Sequence, residues 1–236
     1  MSQPTWALGP DEIQLWSVSL TRSEAELARL RELLSEEEYA RACCYKPRHV
    51  RDQYVTARGV LRLILGSYLG LDPARVRFET SNTGKPRLPG GGLYFNVTHS
   101  HQMGLIAVTR HGEVGVDIEH VRPISTFLDM AERYFTPGEV AALRRLPPGA
   151  REQAFFHTWT RKEAFLKATG LGLSHGLERF EVSVPPDDPA RILHIDGDHT
   201  QGQRWSMTCL EPAPGYVGAV AVEEHGLRLV PRRYDE

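Results

Sequence analysis

The chain has 236 residues, 41% hydrophobic and 25% charged, an ordinary balance for a globular protein with enough apolar mass for a substantial core. Its formal net charge of −2 argues against a general nucleic-acid binder. Three cysteines (Cys43, Cys44 and Cys209) show neither metal-ligand spacing nor a disulfide framework, no apolar run reaches membrane length, and no signal-peptide layout opens the chain, so a cytoplasmic protein is expected.

Residues 12–20 alternate as an opening strand, and helical patterns follow over 23–34 and 35–45. The second begins at Ser35-Glu-Glu-Glu38, the signature of a capping box. A longer apolar helix covers 52–69 and stops near Gly70, and strands are expected over 75–80, 93–98 and 104–110. After a turn at Arg110-His-Gly-Glu113 the order repeats. A strand at 114–120 leads to helices at 125–134, 136–145 and 151–169, the last stopped near Gly170. Strands follow over 179–184, 191–195, 204–210 and 216–223. The Pro- and Gly-rich stretches 88–92 and 184–189 read as loops, and 228–236 as a frayed tail with solvated basic residues. The repeat predicts an α+β fold of two similar α/β lobes, residues 1–112 and 113–236, with a ligand cleft between them. A single irregular α+β domain is the alternative.

Four segments carry chemistry. In Trp159-Thr-Arg-Lys-Glu-Ala-Phe-Leu-Lys167 the residues Trp159, Glu163 and Lys167 are four apart and share one helix face. Alone, Glu163 and Lys167 read as an ordinary surface ion pair, a reading that weakens once Asp117 and Glu119 are added. In Gly115-Val-Asp-Ile-Glu119 strand alternation turns Val116 and Ile118 inward and leaves Asp117 and Glu119 on the opposite face, about 7 Å apart. Like charges so placed repel unless a cation or proton lies between them, although a solvated acidic strand face is the plain alternative. Oxygen ligands without cysteine favour Mg²⁺, or Mn²⁺ in its place, over zinc. The strand that starts at Leu93 ends in Thr98, His99 and Ser100, whose side chains can donate to phosphate oxygens. The loop Thr80–Pro86 offers Gly84 for close backbone approach and Lys85 as a point charge.

With "TGKP", "FNVTHS", "GVDIE" and "WTRKEAFLK" in this order, from about Trp6 to Val222, the chain resembles the surfactin-type 4′-phosphopantetheinyl transferases. The resemblance implies two lobes related by a pseudo-two-fold axis, and a monomer. It also implies transfer of the 4′-phosphopantetheine arm of coenzyme A to a serine of an apo acyl or peptidyl carrier protein, with release of 3′,5′-ADP. Such transfer activates polyketide, non-ribosomal peptide or fatty acid synthesis and uses Mg²⁺. Carried over, Asp117, Glu119 and Glu163 hold the metal, Glu163 is also a candidate general base, and Lys167 contacts the coenzyme A phosphates. Gly84, Lys85 and Pro86 lie beside the nucleotide, His99 meets a phosphate, and Arg41 falls near a basic residue that contacts coenzyme A. Thr98 stands where serine is commoner, keeping the hydroxyl. Glu139 matches a glutamate proposed to orient a proton-accepting water, yet Thr136-Pro-Gly-Glu139 also reads as a capping box.

Carriers of this class are acidic, so Arg133, Arg144, Arg145, Arg151 and Arg161 form a candidate docking patch, with a solvated helix surface as the alternative. Two competing functions share parts of the pattern: a metal-dependent phosphohydrolase of nucleotide pyrophosphates, and a non-catalytic nucleotide-binding module.

Overall fold

A computed structural model describes residues 6–81, 84–172, 176–185 and 188–234. Within the expected loops, Asn82, Thr83, Pro186 and Asp187 lie outside the described residues, as do Asp235 and Glu236 of the tail.

The first half opens with β1 (Glu12–Ser19), α1 (Glu24–Glu32) and α2 (Glu36–Cys43). Both helices start in complete capping boxes, Ser23 with Glu26 and Ser35 with Glu38. The long helix α3 (Arg48–Leu69) begins a turn earlier than its apolar pattern, with Pro47 at the N-cap, and ends at Gly70 in the left-handed region at φ 63°. The strand expected over 75–80 shrinks to β2 (Glu79–Thr80), which pairs with β3 (Pro86–Arg87). The preceding carbonyls are taken by a side chain instead of a ladder. The buried Arg62 guanidinium donates to Pro73 and Val76, each at 3.0 Å. Then come β4 (Tyr94–Ser100) and β5 (Met103–Thr109).

The second half runs β6 (Val114–His120), α4 (Phe127–Tyr134), α5 (Pro137–Arg145) and α6 (Pro148–Thr169), then β7 (Phe180–Val182) and β8 (Ile192–Ile195). One helical turn, α7 (His199–Gly202), precedes β9 (Ser206–Leu210) and β10 (Tyr216–Val222). Residues 228–234 are not a frayed tail. They form β11 (Arg228–Tyr234), which runs parallel to β1 along the edge of the first sheet. Leu229 and Tyr234 pack into the core, while Pro231 and the arginines suit an edge strand, whose outer side has no ladder to complete. The last strand therefore crosses the boundary expected at 110–113.

One sheet has the order β11-β1-β5-β4 and the other β6-β10-β9. Alternate residues of β1 and β5 face opposite ways. Trp16, Val18, Ile106 and Val108 pack with Leu61, Ile64 and Leu65 of α3, whereas Ile13, Leu15, Leu105 and Ala107 pack against Val116, Ile118 and Val220 of the second sheet. Burying each of the larger aliphatic side chains contributes about 1.5–3 kcal/mol. The far face of the second sheet receives α6, and small residues let the helix sit close: Ala164 and Ala168 against Ala219 and Ala221. At Gly115 the two backbones touch. A Cβ built there would lie 2.0 Å from the Ala164 carbonyl oxygen and 2.3 Å from the Ala168 nitrogen.

Because α6 covers it, β6 is buried on both faces from Val114 to Ile118, so the half-exposed strand of the sequence pattern becomes an interior one. Edge strands β4 and β6 run alongside each other, joined by side chains. Asn96 Oδ1 accepts from Val116 N at 3.0 Å, Thr98 Oγ1 donates to Asp117 Oδ1 at 3.0 Å, and Ser100 Oγ donates to Glu119 Oε2 at 2.9 Å. These three alternate residues of β4 form a polar seam between the sheets.

Candidate active site

The seam and the last three turns of α6 bring Asp117, Glu119, Glu163, Lys167 and Thr98 together. Lys167 Nζ donates to Asp117 Oδ1 at 2.5 Å and to Thr98 Oγ1 at 2.9 Å, so its ion pair crosses from helix to strand. This removes the reading of Glu163 and Lys167 as an ordinary surface pair. Trp159, on the same helix, packs against Tyr134, Phe135 and Phe155 with ring centroids 5.7–6.4 Å apart and serves the core.

The carboxylates share an unfavourable environment. Burial raises Asp117 above the ordinary carboxylate range, opposed by Lys167 and by the Thr98 hydroxyl. Burial likewise raises Glu119, against the bond from Ser100. Glu163 is pushed up to about 7, first by burial and then by the Asp117 charge, with Lys167 opposing and Glu119 adding to the rise. Among the described residues, Asp117 Oδ2 and Glu163 Oε1 are buried without a hydrogen-bond partner. Buried polar atoms left unpaired are costly and point to a missing partner.

Among the described residues no three His, Cys, Asp or Glu side chains stand ready as a metal-binding group. Asp117 is held by an ammonium, and Glu119 by a serine hydroxyl. The donor chemistry nonetheless fits a hard divalent cation: oxygen atoms only, with two buried carboxylate oxygens unbonded and mutual repulsion that a cation would relieve.

Beside these groups lies a cleft of ≈ 240 Å³, lined by Gly84, Lys85 and Pro86 on one side and by Glu163, Lys167 and Gly170 on the other. Gly84 has φ 89° and open space where a side chain would stand, as close backbone approach requires. Hollows of ≈ 310 and ≈ 680 Å³ elsewhere are lined by none of the expected site residues. His99 lies on β4 next to Thr98. Protein packed around its ring, and then the Lys167 charge, hold the imidazole below its ordinary pKa, although the residue's surface is largely open to solvent.

Other expectations change in space. Lys85 turns its ammonium inward, onto Glu113 Oε2 at 2.7 Å, Ala168 O at 2.9 Å and Val114 O at 3.1 Å, so only its stem and backbone face the cleft. Arg41 is exposed on α2, bonded to Tyr45 and outside the cleft lining. The hydroxyls of Thr98 and Ser100 are occupied by carboxylates and are not free phosphate donors. Glu139 completes the Thr136 capping box, and its oxygens also meet the wholly buried Lys162 at 2.7 and 2.8 Å and Val182 N at 2.8 Å. No oxygen of Glu139 is left to orient a water.

Arg161, expected in the docking patch, is fully buried, donating to the Ser183 carbonyl and, at 3.1 Å, to Cys209 Sγ. Arg151 is turned back onto the carbonyls of Leu146 and Arg144. Arg133, Arg144 and Arg145 remain exposed. The sequence reading missed Asn96 and the Lys162–Glu139 pair. A signal for the first existed: Asn96, Thr98 and Ser100 alternate with the same period as the acidic strand.

A family model described as the 4′-phosphopantetheinyl transferase superfamily matches residues 113–221. The chain is 39% identical over 238 residues to 4′-phosphopantetheinyl transferase HetI of Nostoc sp. (strain PCC 7120 / SAG 25.82 / UTEX 2576), an alignment covering 96% of this chain and 97% of that protein. It is 32% identical over 201 residues to 4′-phosphopantetheinyl transferase Sfp of Bacillus subtilis (strain 168), covering 84% and 86%. Psf-1 of Bacillus pumilus, also named as a 4′-phosphopantetheinyl transferase, is 32% identical, covering 76% of each chain. Identity at this level across nearly the whole length shows that the chain belongs to the 4′-phosphopantetheinyl transferases of the surfactin type and is an enzyme of that class.

Proposed function

We propose that this enzyme transfers the 4′-phosphopantetheine arm of coenzyme A to a serine of an apo acyl or peptidyl carrier protein, releasing 3′,5′-ADP. The observation that carries the chemistry is the pair of unbonded, buried carboxylate oxygens on Asp117 and Glu163, with the Lys167 ammonium beside them at the cleft. In this reading Asp117, Glu119 and Glu163 hold Mg²⁺, or Mn²⁺ in its place. Bound there, such a cation neutralises the pyrophosphate oxygens that otherwise repel a nucleophile.

The chain's own groups do the rest. Lys167 leaves Asp117 and binds phosphate oxygen, and His99, kept neutral by its surroundings, donates one ring N–H to another. The backbone at Gly84 and Pro86 shapes the nucleotide side of the cleft, and Thr98 orients Asp117 through its hydroxyl. Glu163 accepts the proton of the incoming serine hydroxyl. General-base help of this kind typically contributes about 10²–10⁴-fold. Charge neutralisation and positioning supply the larger share. Arg41, exposed on α2, is retained as a contact to an outlying part of coenzyme A.

The two-lobed, pseudo-two-fold reading draws support from α3 and α6, each of 22 residues and each closed by a glycine in the left-handed region. The lobes then comprise 1–112 and 113–236, with β11 returning to the first sheet. No described helix is long and apolar enough to cross a membrane. We take the enzyme to be a cytoplasmic monomer whose macromolecular partner is the carrier, with no role for nucleic acid or membrane.

One assay tests the whole reading. The protein, coenzyme A, Mg²⁺ and a purified apo carrier are mixed and the carrier is weighed. A gain of one phosphopantetheine supports transfer. Cleavage of coenzyme A without carrier would instead indicate the phosphohydrolase, a reading that the named relatives do not support. Absence of both would leave a nucleotide binder.

A further inference from the structure

The placement of Lys85 carries an inference about how the reactive groups are held. Its loop is closed on itself: Ser81 N donates to Lys85 O at 2.9 Å, and Lys85 N donates to Ser81 Oγ at 3.0 Å. From this fixed base the side chain leaves the cleft and enters the junction of β6 and α6, where it is 8% exposed. An ammonium has three protons, and Lys85 meets three acceptors: the Glu113 carboxylate, the Val114 carbonyl and the Ala168 carbonyl. No proton remains for a phosphate.

The two carbonyls come from opposite partners. Val114 begins β6, three residues before Asp117, and Ala168 lies in the last turn of α6, one residue after Lys167. The last carbonyls of a helix lack intrahelical partners, and a cation there is also favoured by the negative end of the helix dipole. Gly115, directly beside Val114, is where the backbones of α6 and β6 meet. The ammonium therefore binds helix to strand at their closest approach. Burial lowers the Lys85 pKa, and the Glu113 carboxylate opposes that fall.

We propose that Lys85 is a positioning residue, which clamps the end of α6 onto the start of β6 and so sets where Glu163 and Lys167 stand over Asp117. This rests on the transferase reading of the site but concerns a different property: geometry for turnover instead of affinity for the nucleotide.

The test uses the full chain with coenzyme A, Mg²⁺ and an apo carrier, in Lys85→Met, Glu113→Gln and the double variant. Glu113 is partly exposed, so Glu113→Gln preserves the fold even where Lys85→Met lowers stability. A displacement of about 1 Å can cost up to roughly 10²-fold in rate. Lys85→Met should lower kcat by about 10–100-fold, a larger factor than the accompanying rise in KM for coenzyme A or in its dissociation constant by calorimetry. Glu113→Gln should lower kcat in the same direction by a smaller factor, and the double variant should be no slower than Lys85→Met, as for groups acting as one unit. A raised KM with kcat intact would assign Lys85 to a phosphate and overturn the clamp. So would wild-type kcat in Glu113→Gln. Wild-type transfer measured alongside separates failure of this inference from failure of the transferase reading.

Discussion

The Lys167 ammonium lies 2.5 Å from Asp117 Oδ1, and by this contact the helix and strand motifs become one site. Asp117 is 4% exposed, so its charge is tolerable only beside a cation. Asp117→Ala should therefore abolish transfer, by at least about 10³-fold in kcat/KM, because it removes a proposed metal ligand and the partner of Lys167 together. Carrier mass spectrometry against time checks this, and near-normal turnover would remove Asp117 from the metal.

Glu163 links the site to pH. Its carboxyl has a pKa of about 7 in the folded chain, against an ordinary value of 4.5. Below pH 4.5 it is protonated in both folded and unfolded chains. Between 4.5 and 7 the unfolded chain ionises while the fold keeps the proton, so stability falls as pH rises across this window and levels off above it. Glu163→Gln should flatten that fall in metal-free buffer. Urea midpoints at pH 5 and pH 8 measure it, and equal slopes for both proteins would contradict the raised pKa.

Gly115 is where helix and strand touch. Gly115→Ala would place a methyl group 2.0 Å from the Ala164 carbonyl oxygen, and neither backbone can yield without opening the site. A loss of about 3 kcal/mol or more is expected from the overpacking, with transfer reduced further than stability alone explains. Chemical denaturation and kcat, measured well below the melting temperature, test the two parts.

Lys162 and Glu139 form a buried ion pair with no exposed side-chain surface. Lys162→Met would leave Glu139 charged and without its cation, at a cost of about 3–5 kcal/mol. Lys162→Met combined with Glu139→Gln should recover part of that loss. A double variant less stable than Lys162→Met alone would show that the pair is not the source.

On the docking patch, Arg144 and Arg145 remain exposed, Arg144 in an ion pair with Glu132. Reversing both charges should weaken capture of an acidic carrier more at low than at high salt, since screening shortens the reach of surface charges. Equal carrier KM for variant and wild type at low salt would remove the patch.

Legibility varied with the kind of force involved. The capping boxes at Ser35 and Thr136, the stops at Gly70 and Gly170 and the extent of β6 are set by neighbours within a few residues, and each was readable along the chain. The strand β11 was not, because Pro231 and three arginines look like a solvated tail until β1 offers an edge to pair with. The expected strand before β2 failed for a similar reason: Arg62, from the preceding helix α3, takes the Val76 carbonyl once the chain has folded back beside it.

By itself the sequence determined which groups the site has: three carboxylates, a lysine one turn after Glu163, and motifs whose order marks the family. Only the tertiary structure decided their partners. It gave Lys167 to Asp117, Lys85 to the end of α6, Glu139 to Lys162 and Arg161 to the interior. Spacing along a chain fixes which face a charge occupies, but a buried charge takes whichever counter-charge or carbonyl the packed backbone leaves within about 3 Å, and that distance exists only once helix and sheets have met.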